Sequence, residues 1–287
     1  MGTGTKPEKI SIIYHSGVGN TELVAKIMHL YLLKQGLSVY MKSVEEKIDV
    51  TEIQESSAII MGCPTYHGKP SMSMLDFIDE DQIIIPELKG KRCYVFATCG
   101  LYPANTLRIF AKKIYNKGII PVHSSWYRMS ATDGILLVPQ ISFFRTFEKG
   151  LVQKISANMR EFVNFVMGKQ DDKLCEVKIP RIKIYSILNY PNKKMGEIFK
   201  ATIKIANERC IRCFTCVKGC YRSCMSADTD GNILYDTKKC ENCYRCIHNC
   251  PSAALSNSGK KPHVLLSGKF FGDYYKKVEI SMSLENK

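Results

Sequence analysis

Thirteen cysteines mark this chain, and nine of them fall between Cys210 and Cys250. They read Cys210-x2-Cys213-x2-Cys216-x3-Cys220, then Cys240-x2-Cys243-x2-Cys246-x3-Cys250-Pro251. The same run of four thiols thus occurs twice, 30 residues apart. Four soft thiolates are the ligand set of a [4Fe–4S] cube. Three thiols at x2 spacing wrap three corners of a cube from one tight loop, and the fourth corner must come from elsewhere. A zinc site is the main rival. It uses two Cys pairs across a longer spacer, and each run here has one thiol too many for that. Structural disulfides are a further alternative, disfavoured by so local a cluster and by a start, Met1 to Lys6, without the build of a secretory leader. No apolar run approaches the ~20 residues of a membrane-spanning helix.

The doubled run resembles the bacterial-type two-cluster ferredoxins, in which the fourth Cys of each run serves the other cluster. The resemblance implies one cluster on Cys210, Cys213, Cys216 and Cys250 and another on Cys240, Cys243, Cys246 and Cys220. Tyr221 stands where the first run would usually carry Pro, whereas Pro251 is present in the second. Cys224, four residues past Cys220, is a ninth thiol and an alternative ligand in its place; the repeat symmetry favours Cys220. Asp230-Gly231-Asn232 predicts a hairpin within Ser226 to Asp236. Ala253, Ala254 and Leu255 are small apolar groups suited to keeping water off a cluster.

The cysteine-poor first part alternates strand and helix patterns. Strands are expected at Lys9 to His15, Leu37 to Met41, Ser57 to Gly62, Arg92 to Thr98 and from Ile119 to Val122. Helices are expected after Thr21, at Ser71 to Glu80, around Leu107 to Ile114 and around Ile155 to Val166. This order implies right-handed βαβ units and a parallel sheet covered on both faces. Ligands of such sheets bind outside the carboxyl ends of the strands. Three loops belong there. Ser16, Gly17, Val18, Gly19, Asn20 and Thr21 open a helix and suit a phosphate, through backbone N–H groups and the positive helix end. Pro64, Thr65, Tyr66, His67 and Gly68 follow the third strand, and Thr98, Cys99, Gly100 and Tyr102 follow the fourth. Each of these two offers an aromatic ring. A phosphate site flanked by two aromatic loops describes a pocket for flavin mononucleotide, FMN.

Residues 9 to 167 resemble the flavodoxins: SGVGNT is similar to their phosphate loop, and PTYHG and TCGLY to their two flavin-flanking loops. Val18 stands where that family usually carries Ser or Thr. A flavodoxin-like domain that has lost its flavin is the alternative. The whole resembles flavodoxin–ferredoxin fusions of anaerobic and fermentative microbes. The implied fold is α/β, a flavodoxin-like doubly wound five-stranded parallel sheet, plus a small α+β ferredoxin domain with two [4Fe–4S] clusters. The implied domains are 1–168 for FMN, a linker at 169–204, the ferredoxin type at 205–257 and a tail at 258–287.

The linker places Met195, Ile198, Phe199, Thr202 and Ala206 on one helical face, and the tail, with Phe270, Phe271, Tyr274 and Tyr275, is expected to pack back on the protein. The formal charge of +14 is spread along the chain. It forms no basic run of the nucleic-acid kind and fits docking of an acidic redox partner, such as a ferredoxin or an oxidoreductase. Cys63, Cys93 and Cys99 read as apolar fillers, His15 as structural support, and Trp126 as core or interface. Tyr66 and Tyr102 are the favoured stacking rings. The resemblance implies a cytoplasmic electron carrier linking FMN, two clusters and an external redox protein. The alternative is an FMN-dependent reductase of a quinone or nitro compound, fed through the clusters.

Overall fold

The computed structural model describes residues 8–168, 177–183, 203–257, 260–262, 265–266 and 268–284. The expected linker helix lies outside the described residues, except for Ala206, and so does Cys175.

Five parallel strands form the central sheet. They are β1 (Lys9–Tyr14), β2 (Ser38–Ser43), β3 (Ala58–Tyr66), β5 (Arg92–Cys99) and β6 (Ile120–Arg128). Their order is β2-β1-β3-β5-β6. The expectation of five strands needs one addition. A two-residue strand, β4 (Lys69–Pro70), folds back antiparallel on the end of β3. The central strands β1, β3 and β5 are buried nearly throughout, as parallel strands covered on both faces must be. Strand β6 is one edge and β2 the other. The former tolerates Pro121 beside a register shift opposite Cys93 and Tyr94, and runs six residues past Val122 to Arg128.

Helices α1 (Asn20–Lys34) and α7 (Leu151–Val166) cover one face. Helices α3 (Met72–Glu80) and α5 (Thr106–Asn116) cover the other, with the short α2 (Val50–Gln54) and α4 (Ile84–Glu87) beside them. Ser71 starts α3 by accepting the Met74 N–H, a side-chain cap that fixes the turn after β4. The loop after β6 carries α6 (Thr132–Leu137) and a 3-10 turn at Ser142–Arg145.

The cysteine-rich unit is small. Strand β7 (Lys204–Ile205) pairs antiparallel with β10 (Leu255–Ser256), and β8 (Met225–Ala227) with β9 (Ile233–Tyr235) across the expected hairpin. Each cysteine run ends in one helical turn, α8 (Thr215–Lys218) and α9 (Arg245–His248). The 30-residue repeat extends to the torsion angles. Arg212 and Asn242 have φ of 53° and 58°, Phe214 and Tyr244 of 55° and 60°, and Ser223 and Ala253 of 52° each. Side-chain-bearing residues rarely adopt this left-handed region, so three matched pairs mark two copies of one loop. The last helix, α10 (Gly268–Leu284), packs against α1 and adds Phe271, Val278 and Met282 to the core under α1 and α7.

Candidate functional site

The three expected loops converge at the carboxyl ends of β1, β3 and β5. One cleft is lined by every residue of Ser16 to Thr21 except Gly19, by Pro64 to His67, and by Thr98, Cys99 and Gly100. Gly68 and Tyr102 line an adjoining cleft that shares Thr65, His67, Cys99 and Gly100 with the first. Gly19 lies instead under the ring of Phe271.

The phosphate-type loop is held from several sides. The Gly19 N–H donates to Ser16 Oγ at 3.2 Å, and the Thr21 and Thr98 hydroxyls share a hydrogen bond of 2.8 Å. Asn20 Nδ2 donates to the Ser130 carbonyl, and Ser130 Oγ donates back to Asn20 Oδ1, each at 2.8 Å. Helix α1 starts from Gly19, which has no side chain to cap its first N–H groups. A Cβ at Gly17 would lie 2.2 Å from Tyr66 Oη and 2.8 Å from Cys243 Cβ, so this position requires glycine. Thr65 Oγ1 is buried in the cleft without a hydrogen-bond partner among the described residues.

Two sets of lining residues were not among those read from the sequence. Ser130 to Asp133 complete the cleft from the loop after β6. The apolar pattern of this strand ends at Val122, six residues short of Arg128, because Pro121 and the polar His123, Ser124 and Ser125 hide an edge strand, so the sequence does not place the loop after it. Asn242 and Tyr244 enter from the cysteine-rich unit. Only the three-dimensional docking of the two units reveals them.

That docking runs through the second cysteine run. The Arg245 guanidinium donates to the carbonyls of Gly17 at 2.5 Å and Ser16 at 2.6 Å. It also holds both oxygens of Glu45 at 2.5 and 2.6 Å, a bidentate pair. Glu241 accepts from the Ser73 N–H at 3.1 Å and the Ser73 hydroxyl at 2.9 Å, placing a carboxylate at the start of α3. His15 is buried between the two units. Its Nδ1 lies 2.9 Å from Ser71 Oγ, and its Nε2 lies 3.2 Å from Glu45 and 3.6 Å from Glu241. Burial pushes the Glu45 carboxyl up, but the hydrogen bonds from His15 and Arg245 and the Arg245 charge outweigh it and hold the group at about 2. Arg222 adds a bridge to Asp76 at 2.5 Å, and the Tyr221 hydroxyl donates to the Val44 carbonyl at 3.2 Å. Tyr221, at the usual Pro position, thus reaches the flavodoxin-like side through its hydroxyl while its ring stays partly exposed.

The cysteines fall into two groups. Cys220, Cys240, Cys243 and Cys246 line one largely apolar pocket, together with Cys224 and Tyr235. Burial raises the Cys246 thiol well above its ordinary value, and the charges of Cys243, Cys240 and Cys220 raise it further. Burial likewise raises Cys216, and Cys250 and Cys210 add to the shift. Each run therefore has the fourth cysteine of the other beside it. Cys213 is exposed and 3.3 Å from Thr215 Oγ1, whose hydrogen bond lowers its thiol. Cys224 is the repeat counterpart of Ala254. The Cys224 N–H donates to Cys220 Sγ at 3.2 Å, as the Ala254 N–H does to Cys250 Sγ at 3.3 Å.

All twelve described cysteines are free thiols. Among the described residues, no three His, Cys, Asp or Glu side chains form a site for a single metal ion. Cys63, Cys93 and Cys99 are buried, and burial raises all three, Cys99 to about 12. Tyr66 is folded across Gly17, and Tyr102 is partly exposed in the adjoining cleft. Trp126 is half-buried, with Lys154 Nζ 4.7 Å above its ring.

The family model described as Flavodoxin matches residues 12–103. That segment is a flavodoxin-like domain. It contains the phosphate-type loop and both later switch-point loops. A flavodoxin from Clostridium saccharobutylicum is 37% identical over 91 residues, which are 31% of this chain and 55% of that protein. The chain thus spans about half the length of this relative. A flavodoxin from Clostridium beijerinckii is 24% identical over 115 residues, 40% of this chain and 82% of that one. Among solved structures, Flavodoxin 2 from Bacillus cereus is 22% identical with a TM-score of 0.42, covering 55% of this chain and 99% of its own. No helix among the described residues is long and apolar enough to cross a membrane.

Proposed function

We propose that this chain is an electron-transfer protein that holds FMN in the cleft above β1, β3 and β5 and two [4Fe–4S] clusters on its interleaved cysteines. The observation that carries this reading is the joint cleft: Asn242 and Tyr244, which flank Cys243, line it together with Ser16 to Thr21. Loop and cofactor are compatible. The uncapped start of α1 suits a phosphate, and the Thr65 hydroxyl is a buried polar group in the cleft without a partner among the described residues. Ser16, Thr21 and the loop N–H groups would hold the phosphate, with the rings of Tyr66 and Tyr102 at hand on the flavin side.

Cys220, Cys240, Cys243 and Cys246 would hold one cluster and Cys210, Cys213, Cys216 and Cys250 the other. Four thiols around one largely apolar pocket suit the four corners of a cube, and three thiols in each tight run are one too many for a zinc knuckle. FMN exchanges electrons singly or in pairs and each cluster exchanges one, so together they link two-electron and one-electron chemistry. The external partner is a redox protein, an acidic ferredoxin or an oxidoreductase. Clusters held on thiolates suit a reducing compartment, and the cytoplasm is the proposed location.

Anaerobic purification followed by assay of iron, acid-labile sulfide and flavin tests this. About eight irons with matching sulfide and one FMN per chain are expected. Zinc without sulfide would overturn the cluster assignment, and absence of flavin uptake the other half. A second reading, an FMN-dependent reductase of a quinone or nitro compound, is favoured by the open adjoining cleft, where Leu101 and Leu137 are 53% and 64% exposed. Turnover of such acceptors well above that of free flavin would select it.

A further inference from the structure

The carboxy-terminal segment touches the phosphate-type loop at Gly19. Gly19 has φ of +126°, a conformation open to glycine and strained for other residues. A Cβ there would stand 2.7 Å from the Phe271 ring, so the ring lies directly on the loop backbone. Phe271 is itself buried, at 8% exposure, although it sits on a surface helix.

The ring is fixed from behind. Phe147 stacks on it at 6.4 Å between centroids, Phe270 meets it edge-on at 5.2 Å, and Tyr274 meets Phe147 edge-on at 4.6 Å. Val18 packs against the same apolar cluster, so the apolar side chain in this otherwise polar loop has a partner. Two further ties hold the segment at its ends. The Leu266 N–H donates to His248 Nδ1 at 3.1 Å, and Lys34 donates from α1 to the Met282 carbonyl. His248 Nε2 reaches the Thr132 carbonyl, 3.2 Å away in the loop that completes the cleft.

We propose that α10 is a strap that sets the conformation of the Ser16–Thr21 loop, with Phe271 as the positioning residue and Val18 as its anchor. The loop must offer backbone N–H groups in one fixed arrangement, and a ring seated on Gly19 removes the alternatives that glycine otherwise allows. The consequence for the cofactor rests on the FMN reading above: Phe271 tightens FMN binding without touching the FMN cleft.

Two measurements on the full-length protein test it. Hydrogen exchange of the flavin-free protein reads the loop alone. Phe271→Ala speeds exchange at Gly19 to Thr21, whereas Val278→Ala, a buried residue of the same helix two turns on, lowers the thermal midpoint but leaves that exchange unchanged. Fluorescence titration with FMN reads the consequence. Phe271→Ala raises the Kd about tenfold or more, Phe271→Leu raises it less, and Val278→Ala keeps it within about twofold. Unchanged exchange in Phe271→Ala, or equal effects of Phe271→Ala and Val278→Ala, would overturn the strap. A wild-type protein that takes up no FMN, yet shows the exchange difference, would sink the FMN reading and leave the strap standing.

Discussion

The loop from Glu241 to Arg245 is docked on the flavodoxin-like domain, whereas its repeat counterpart, Ile211 to Thr215, lies largely in solvent. The backbones match, yet the side chains diverge where the surroundings do. Glu241 and Arg245 replace Ile211 and Thr215, and both make their hydrogen bonds across the interface. The chemistry diverges with them. Burial and the Glu241 charge push the Cys243 thiol up to about 12, while the exposed Cys213 is lowered by Thr215. The repeat fixes the loop geometry twice, and docking decides which copy faces the cleft.

The sharpest way to break this comparison is to exchange roles between counterparts. If the proposed ligand sets hold, Cys220→Ala should remove about half of the bound iron, because Cys220 belongs to the set on the docked side. Cys224→Ala should leave the iron content unchanged, since its counterpart Ala254 already fills that place without a thiol. Equal losses, read by iron and sulfide assay, would reinstate Cys224 as a ligand.

A smaller contrast is expected in stability. Glu241→Ala strips the carboxylate from the start of α3 and unpairs a buried hydrogen-bond network, at a cost of about 2–3 kcal/mol. Ile211→Ala, at a side chain 64% exposed, should stay within about 0.5 kcal/mol. Denaturant unfolding compares the two, and equal costs would mean that the interface contributes nothing.

Acid gives a third contrast. The docked half depends on Glu45, held at about 2 from an ordinary 4.5, with His15 and Arg245 facing it. A depressed carboxyl contributes stability that is complete above about pH 4.5 and fades as pH falls toward 2. The stability difference between wild type and Glu45→Gln should follow that course. A difference independent of pH would contradict the charged pair. Tyr221→Phe, which deletes one hydrogen bond to the Val44 carbonyl, should cost less than Glu241→Ala, about 1 kcal/mol in denaturant unfolding.

Much of this was legible in the chain itself. The alternation of short apolar runs with helical periods located all five parallel strands, because a covered parallel sheet demands continuous apolar strands. The spacing of eight cysteines located two thiol groups, and the glycines at 17 and 19 located the turn before α1. What escaped has a physical cause. Edge strand β6 is half-exposed and interrupted at Pro121, so its end and the Ser130–Asp133 loop after it carry no periodic signal. Glu241 and Arg245 look like ordinary charged residues until the two units meet. Phe271 reads as an apolar tail residue, since nothing local links it to Gly19, some 250 residues earlier.

The central proposal is that one chain holds a flavin and two clusters. A reductive titration of the anaerobic holoprotein, followed through its visible spectrum, tests it most directly. Uptake of about four electrons per chain is predicted, about two for the flavin and one for each cluster. Uptake of only about two, with a flavin spectrum alone, would contradict the account.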